Sequence, residues 1–194
     1  MAGRFKQLLS LNQVEPYCAF SRVSRLARRR GQRIAWDCPI MLIERSLTPA
    51  DLDLICRHRK EMFRASGRPD RSEQTLNTMT TSFLAWLEPR LASGSYFGFV
   101  IEEDFIPIAG IGLMIIDWPP HPSHPTQDKR GYILDVFVEA TYRNRGVGTR
   151  LMALAETELK KRGVSFAVLH ATAMGQRLYN ALGWKATAEM AKSL

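Results

Sequence analysis

The sequence predicts a mixed α/β (α+β) fold with the element order β-α-α-β-β-β-α-β-α-β. Three observations carry this. Apolar runs rich in β-branched and aromatic residues, such as Tyr132 to Val138 and Val164 to Leu169, suit buried strands. Between them, apolar residues recur at helical spacing, as at Leu151, Leu154, Ala155 and Leu159. Proline, glycine and helix-capping residues mark the joints between these segments.

Ile40 to Arg45 reads as the first strand. Thr48-Pro49-Ala50-Asp51 then starts a helix, with Thr48 as N-cap, Pro49 at the first helical position and Asp51 in the first turn. Leu52, Ile55, Cys56, Arg59 and Phe63 continue it, and Ser66-Gly67 and Pro69 stop it. Ser72 opens a second helix with Leu76, Met79, Phe83, Leu84 and Leu87 on its apolar face, and Pro89 and Gly94 bracket its end. Tyr96 to Ile101 and Ile106 to Ile116 form a hairpin turning at Glu103-Asp104. The Pro-rich loop from Asp117 to Pro125 cannot extend the sheet, because proline lacks an N–H. A central strand, Tyr132 to Val138, leads through a basic glycine turn into a long helix. Val164 to Leu169 is the next strand, Thr172 caps a helix from Ala173 to Leu182, and Trp184 to Met190 is a last strand.

The chain is long enough for one domain with a real core, and its 45% hydrophobic and 24% charged residues fit a globular protein. No apolar run reaches the ~18 residues that a membrane helix needs. The three cysteines, Cys18, Cys38 and Cys56, form no C-x-x-C pair, which points to a reducing, cytoplasmic setting. The net charge of +8 is uneven: residues 1–40 hold eight Arg/Lys against Glu15 and Asp37, leaving the body at +2. Residues 1–38 therefore read as a basic, poorly ordered appendage to a domain at 39–194. A mobile arm, a transit-type leader and translated sequence upstream of a start at Met41 all fit that stretch. A nearly neutral body does not suggest a nucleic-acid-binding domain, so a nucleic-acid partner is expected only through the basic arm.

The stretch with chemistry in it is the turn Arg143-Asn144-Arg145-Gly146-Val147-Gly148 between strand and helix. A helix N-terminus offers unpaired N–H groups and the positive end of the dipole, and glycine lets the backbone close around an anion. Arg143, Arg145 and Arg150 add mobile positive charge. A P-loop would need Lys-Ser or Lys-Thr after the last glycine, where Thr149-Arg150 stands. A dinucleotide fingerprint would need glycine at Leu151. The pattern that fits is R-x-x-G-x-G.

With that motif the sequence resembles the GNAT superfamily of acetyl-CoA-dependent N-acetyltransferases. Leu178-Tyr179-Asn180-Ala181-Leu182-Gly183-Trp184 matches a second family element, Leu-Tyr-x-x-x-Gly-Phe, and the resemblance runs from Ile40 to Met190. It implies the GNAT fold, a mixed and mostly antiparallel central sheet flanked by helices. It also implies transfer of an acetyl group from acetyl-CoA to a primary amine of a small molecule or peptide, by direct attack on the thioester. Residues Val136, Phe137 and Val138 would pair with the pantetheine arm, a backbone N–H there facing the thioester oxygen. Arg143, Asn144, Arg145, Gly146, Val147, Gly148, Thr149 and Arg150 would hold the pyrophosphate. Thr172 stands where members often carry asparagine, which leaves its contact with the donor open. Tyr179 would lie near the sulfur as general acid, since a phenol with a pKa of about 10 stays protonated at neutral pH.

The base is open among Asp135, Glu139 and His170, with a water relay as a further route. His121 and His124 stand among prolines with no nearby Cys and only Asp117 and Asp128 as acidic neighbours, so no metal is expected, and the loop is expected to border the acceptor. Trp86 and Trp118 read either as core or as pocket walls. A non-catalytic acyl-CoA sensor or interaction module is the alternative function, and a homodimer is open.

Overall fold

The computed structural model of the chain describes residues 42–66, 71–122, 124–187 and 189–192. The expectations for residues 1–38, and for Ile40 and Met41 in the first strand, lie outside the described residues. The described elements are strands β1 (Leu42–Ser46), β2 (Tyr96–Glu103), β3 (Ile106–Asp117), β4 (Lys129–Val138) and β5 (Ala167–Leu169). Among them stand helices α1 (Leu52–Ala65), α2 (Glu73–Ser93), α3 (Val147–Lys161) and α4 (Ala173–Ala181). The five strands lie in the order β1-β2-β3-β4-β5, antiparallel throughout except for the parallel pair β4-β5. This is the mixed, mostly antiparallel sheet expected.

Local chemistry sets the entries to α1 and α2. Asp51 closes a capping box with Thr48, accepting from the Thr48 N–H at 2.8 Å. Arg45 ties that turn to the sheet, donating twice to Asp51 at 2.8 Å and once to Glu102 at 2.7 Å. The Ser72 hydroxyl accepts from Thr75 N–H at 3.1 Å to open α2. That helix passes through Pro89 and ends only at Gly94, whose φ of 74° is the left-handed cap. Leu87 and Leu91, both buried, hold the helix across the proline.

The sheet is covered on both faces. On one side Leu151, Met152, Ala155 and Leu159 of α3 pack on Ile111, Leu113 and Ile133. On the other, Ile55 of α1 and Phe83, Leu87 and Leu91 of α2 pack around Tyr96. Glycine makes room on β3: a Cβ at Gly112 would lie 1.9 Å from the Tyr96 hydroxyl, and one at Gly110 would lie 2.9 Å from His58 Nδ1.

Two boundaries differ from expectation. Val164 donates to Leu159 O at 3.0 Å and finishes the α3 turn, so β5 is only three residues long. The strand expected at Trp184 to Met190 is absent among the described residues. Trp184 is instead an anchor, its backbone N–H donating to Tyr179 O at 3.0 Å and its ring N–H to Glu156 at 2.9 Å.

Candidate active site

The site begins where β4 and β5 part. Their pairing covers only Gly131 to Ile133 with Ala167 to Leu169, while β4 runs on to Val138. From Leu134 to Val138 the β5-facing edge of β4 has no partner strand among the described residues. A bulge bends β4 at the same place. Leu134 pairs with Gly112 and Phe137 with Gly110, so β4 takes three steps where β3 takes two, and Asp135 sits at φ 55°. Val136 and Val138 pack toward the α3 core, and Phe137 stacks on His58 at 4.6 Å.

β4 then feeds the glycine turn. After a short turn at Ala140–Tyr142, Arg143 is extended and its Nε donates to Val138 O at 3.0 Å. Asn144 at φ 61° and Gly146 at φ 80° reverse the chain into α3. Gly146 O accepts from Arg150 N at 3.0 Å, and the N–H groups of Val147, Gly148 and Thr149 have no backbone acceptor. A Cβ at Gly146 would meet nothing within 4 Å, so this turn faces open space. At Gly148 a Cβ would lie 3.0 Å from Leu178 Cδ2, which marks the close approach of α4. Arg145 lies 5.6 Å from the Tyr142 ring, and Arg150 donates to Glu44. Asn144 and Thr149 are exposed.

The α4 helix brings Tyr179 to the α3 side of the fork. Thr172 caps it, its hydroxyl accepting from Gly175 N–H at 3.2 Å, so this side chain is already engaged. The Tyr179 ring is buried in the α3 core, yet its hydroxyl has no hydrogen-bond partner among the described residues. Burial pushes its pKa above the usual phenol value.

The three base candidates separate. Asp135 is buried, accepting from Arg59 Nη1 at 2.5 Å and from the Tyr96 hydroxyl at 2.9 Å. Burial pushes its carboxyl pKa up, opposed by the Arg59 charge. Glu139 accepts from Arg57 Nη1 at 2.6 Å, in a cleft of roughly 240 Å³ shared with Phe137 and Arg143. His170 is exposed, with Nδ1 2.5 Å from the Tyr132 hydroxyl and Nε2 3.5 Å from Glu189.

His58, Arg59 and Tyr96 went unread in the sequence as part of this region. A signal existed for Arg59, an arginine in phase with the apolar residues of α1. His58 is buried, and burial with the neighbouring Arg57 charge pushes its pKa down to about 4. His124 is also buried, stacked on Phe166 at 4.4 Å with neither ring nitrogen hydrogen-bonded. Among the described residues no group of three His, Cys, Asp or Glu is placed to hold a metal. Arg130 lies over Trp118 at 3.8 Å, so the Pro-rich loop packs where β4 begins, at the end away from the glycine turn. Trp86 packs edge-on to Tyr96 under α2.

A forked mixed sheet running into a glycine turn at a helix N-terminus defines the acetyltransferase class. The family model for the Acetyltransferase (GNAT) family matches residues 55–184, and the chain belongs to that family. It is 56% identical to a GCN5-related N-acetyltransferase from Ralstonia eutropha JMP134, at TM-score 0.76 over 79% of this chain and 99% of that one. A predicted acetyltransferase with acetyl-CoA from Clostridium acetobutylicum shares the fold at 23% identity and TM-score 0.70, over 79% and 96%. An aminoglycoside N-acetyltransferase in complex with CoA does so at 18% and TM-score 0.61, over 81% and 97%. A comparison with curated protein sequences finds no match. The protein is thus a GNAT-type N-acetyltransferase. No described helix is long and apolar enough to cross a membrane.

Proposed function

We propose that the protein moves the acetyl group of acetyl-CoA to a primary amine of a small molecule or peptide, by direct attack of the amine on the thioester. One observation supports this above the others: the unpaired edge of β4, Leu134 to Val138, leads directly to the free N–H groups of Val147, Gly148 and Thr149. An extended amide chain ending in a pyrophosphate has what that surface lacks, hydrogen-bond partners for a strand edge and an anion for a helix N-terminus.

In this reading the backbone of Val136 to Val138 pairs with the pantetheine, and a strand N–H faces the thioester oxygen as it gains negative charge. The turn from Arg143 to Arg150 holds the pyrophosphate, its glycines and N–H groups in direct contact. Thr172 contributes by capping α4, which carries Tyr179. As the C–S bond breaks, the Tyr179 hydroxyl donates its proton to the leaving thiolate. Burial suits that role, because it keeps the phenol protonated. Asp135 shapes the bulge with its carboxylate already engaged by Arg59 and Tyr96, which argues against its acting as the base. The odd, unpatterned cysteines favour a reducing, cytoplasmic setting.

Free-thiol release from acetyl-CoA, measured over a panel of primary amines, tests the function. Acceptor-dependent release supports transfer. CoA binding without release over the whole panel would leave a non-catalytic acyl-CoA sensor.

A further inference from the structure

Asp135 and Glu139 both have their carboxylates occupied, yet an amine that arrives as ammonium must lose a proton before it can attack. At the fork, among the described residues, His170 is exposed and linked to the sheet through the Tyr132 hydroxyl. We propose that Tyr132, His170 and Glu189 form a proton relay that deprotonates the acceptor ammonium, an inference that rests on the amine-acetylation reading above.

Geometry carries it. A Cβ at Gly131 would lie 2.7 Å from Leu159 Cδ1, so position 131 faces α3, and strand alternation turns Tyr132 to the opposite face. Tyr132 pairs with Val168 and sits one residue before the end of the β4-β5 pairing. His170 lies just past the end of β5, and its Nδ1 is 2.5 Å from the Tyr132 hydroxyl. Glu189 reaches its other ring nitrogen at 3.5 Å. Carboxylate, imidazole and phenol thus form a line from solvent to the fork, on the face opposite Tyr179. The two tyrosines divide the chemistry: Tyr179 gives a proton on the α3 side, and Tyr132 takes one on the other.

The step balances without another reagent. The ammonium N–H bond breaks and its proton passes to the Tyr132 oxygen, while the Tyr132 proton moves to His170 Nδ1. The Nε2 proton faces the Glu189 carboxylate, which steadies the imidazolium until solvent removes the charge as a proton. Burial and the Glu189 charge hold the Tyr132 pKa above the usual phenol range, against the pull of Arg59, so Tyr132 stays a neutral hydroxyl throughout. Tyr132 is the catalytic residue of the three, and His170 and Glu189 act through it. As a purely structural tie the chain contributes little. The His170 and Glu189 side chains are 70% and 63% exposed, and a contact that open to water adds little to stability.

The test uses the full chain, acetyl-CoA and an amine of the panel that the wild type acetylates, from about pH 6 to about pH 10, a range over which the share of free amine rises. Tyr132→Phe and His170→Gln are each expected to lower kcat/KM by about 10- to 100-fold near neutral pH. The deficit should shrink as pH rises and free amine accumulates, with CoA affinity and melting temperature unchanged. The double variant should fall no further than the worse single one, since the groups act as a unit. A wild-type pH profile in His170→Gln, or deficits that multiply in the double variant, overturns the relay. Exposed His170 carries the test even if Tyr132→Phe disturbs packing. No amine-dependent release from the wild type sinks the acetyl-transfer reading and the relay with it; release with unaltered variants sinks the relay alone.

Discussion

Tyr179 has a packing role in the fold and, in the proposed reaction, a chemical one. Its ring belongs to the α3 core, and its hydroxyl has no hydrogen-bond partner among the described residues. A proton donor to a departing thiolate acts only as the C–S bond breaks, so it favours the transition state over binding. Tyr179→Phe should lower kcat about 10²-fold and leave the Kd for CoA unchanged; full kcat would make Tyr179 a packing residue. Asp135 is the contrasting case. Its position on the central strand was legible, and its environment was not, because Arg59 and Tyr96 lie 76 and 39 residues away in sequence. Periodicity reports which way a residue faces, and says nothing of which distant residue meets it. Removing the carboxylate strands a partly buried guanidinium and a buried phenol. Asp135→Ala should therefore cost about 3–5 kcal/mol in urea unfolding. A loss below about 1 kcal/mol would show that Arg59 and Tyr96 find other partners.

Among the elements, the glycine turn and the β3 glycines show how backbone room shapes the candidate site. The motif of Arg143, Gly146 and Gly148 was readable because an anion-binding turn needs those residue types at that spacing. Gly146→Asp keeps a residue that tolerates φ 80° better than most, but places a negative charge where the pyrophosphate would sit. The wild type should gain thermal stability with CoA and this variant should not; equal shifts would move the donor site elsewhere. Gly112 could not be understood from sequence at all, since its neighbour is the Tyr96 hydroxyl across the sheet. Gly112→Ala puts a methyl 1.9 Å from that hydroxyl and should destabilise by about 3 kcal/mol or more. An unchanged melting temperature would mean that Tyr96 can move aside. Element ends were the least legible feature. Packing of Leu91 carries α2 past Pro89, and Trp184 docks on α3 instead of starting a strand, both tertiary effects that override local propensity.

On the scale of the molecule, residues 1–38 and a buried histidine give two separable stability predictions. If residues 1–38 are an appendage, deleting residues 1–39 should leave melting temperature and CoA affinity unchanged, whereas aggregation would mean that Phe5, Leu8, Phe20 or Leu26 covers core surface. His58 sets a pH dependence. Carried on α1, it stacks on Phe137, and Arg57, which can only donate, lies 3.2 Å from its Nε2, so the ring is held neutral. Burial first, and the Arg57 charge second, push its pKa from 6.5 down to about 4. Above pH 6.5 the ring is neutral whether the chain is folded or not, and its contribution to stability is complete. As pH falls from 6.5 toward about 4, the unfolded chain takes up a proton that the folded one refuses, and up to about 3 kcal/mol of stability is lost. Asp135 works in the opposite sense: its raised pKa favours the folded state as pH falls toward the ordinary carboxylate range. The loss from His58 runs from about pH 6.5 toward pH 4, and Asp135 opposes it. His58→Gln keeps a polar side chain of similar reach but cannot titrate. Its unfolding free energy should start lower and fall less steeply than that of wild type as pH drops from 6.5 toward about 4, and a slope equal to wild type would assign the acid sensitivity to another group.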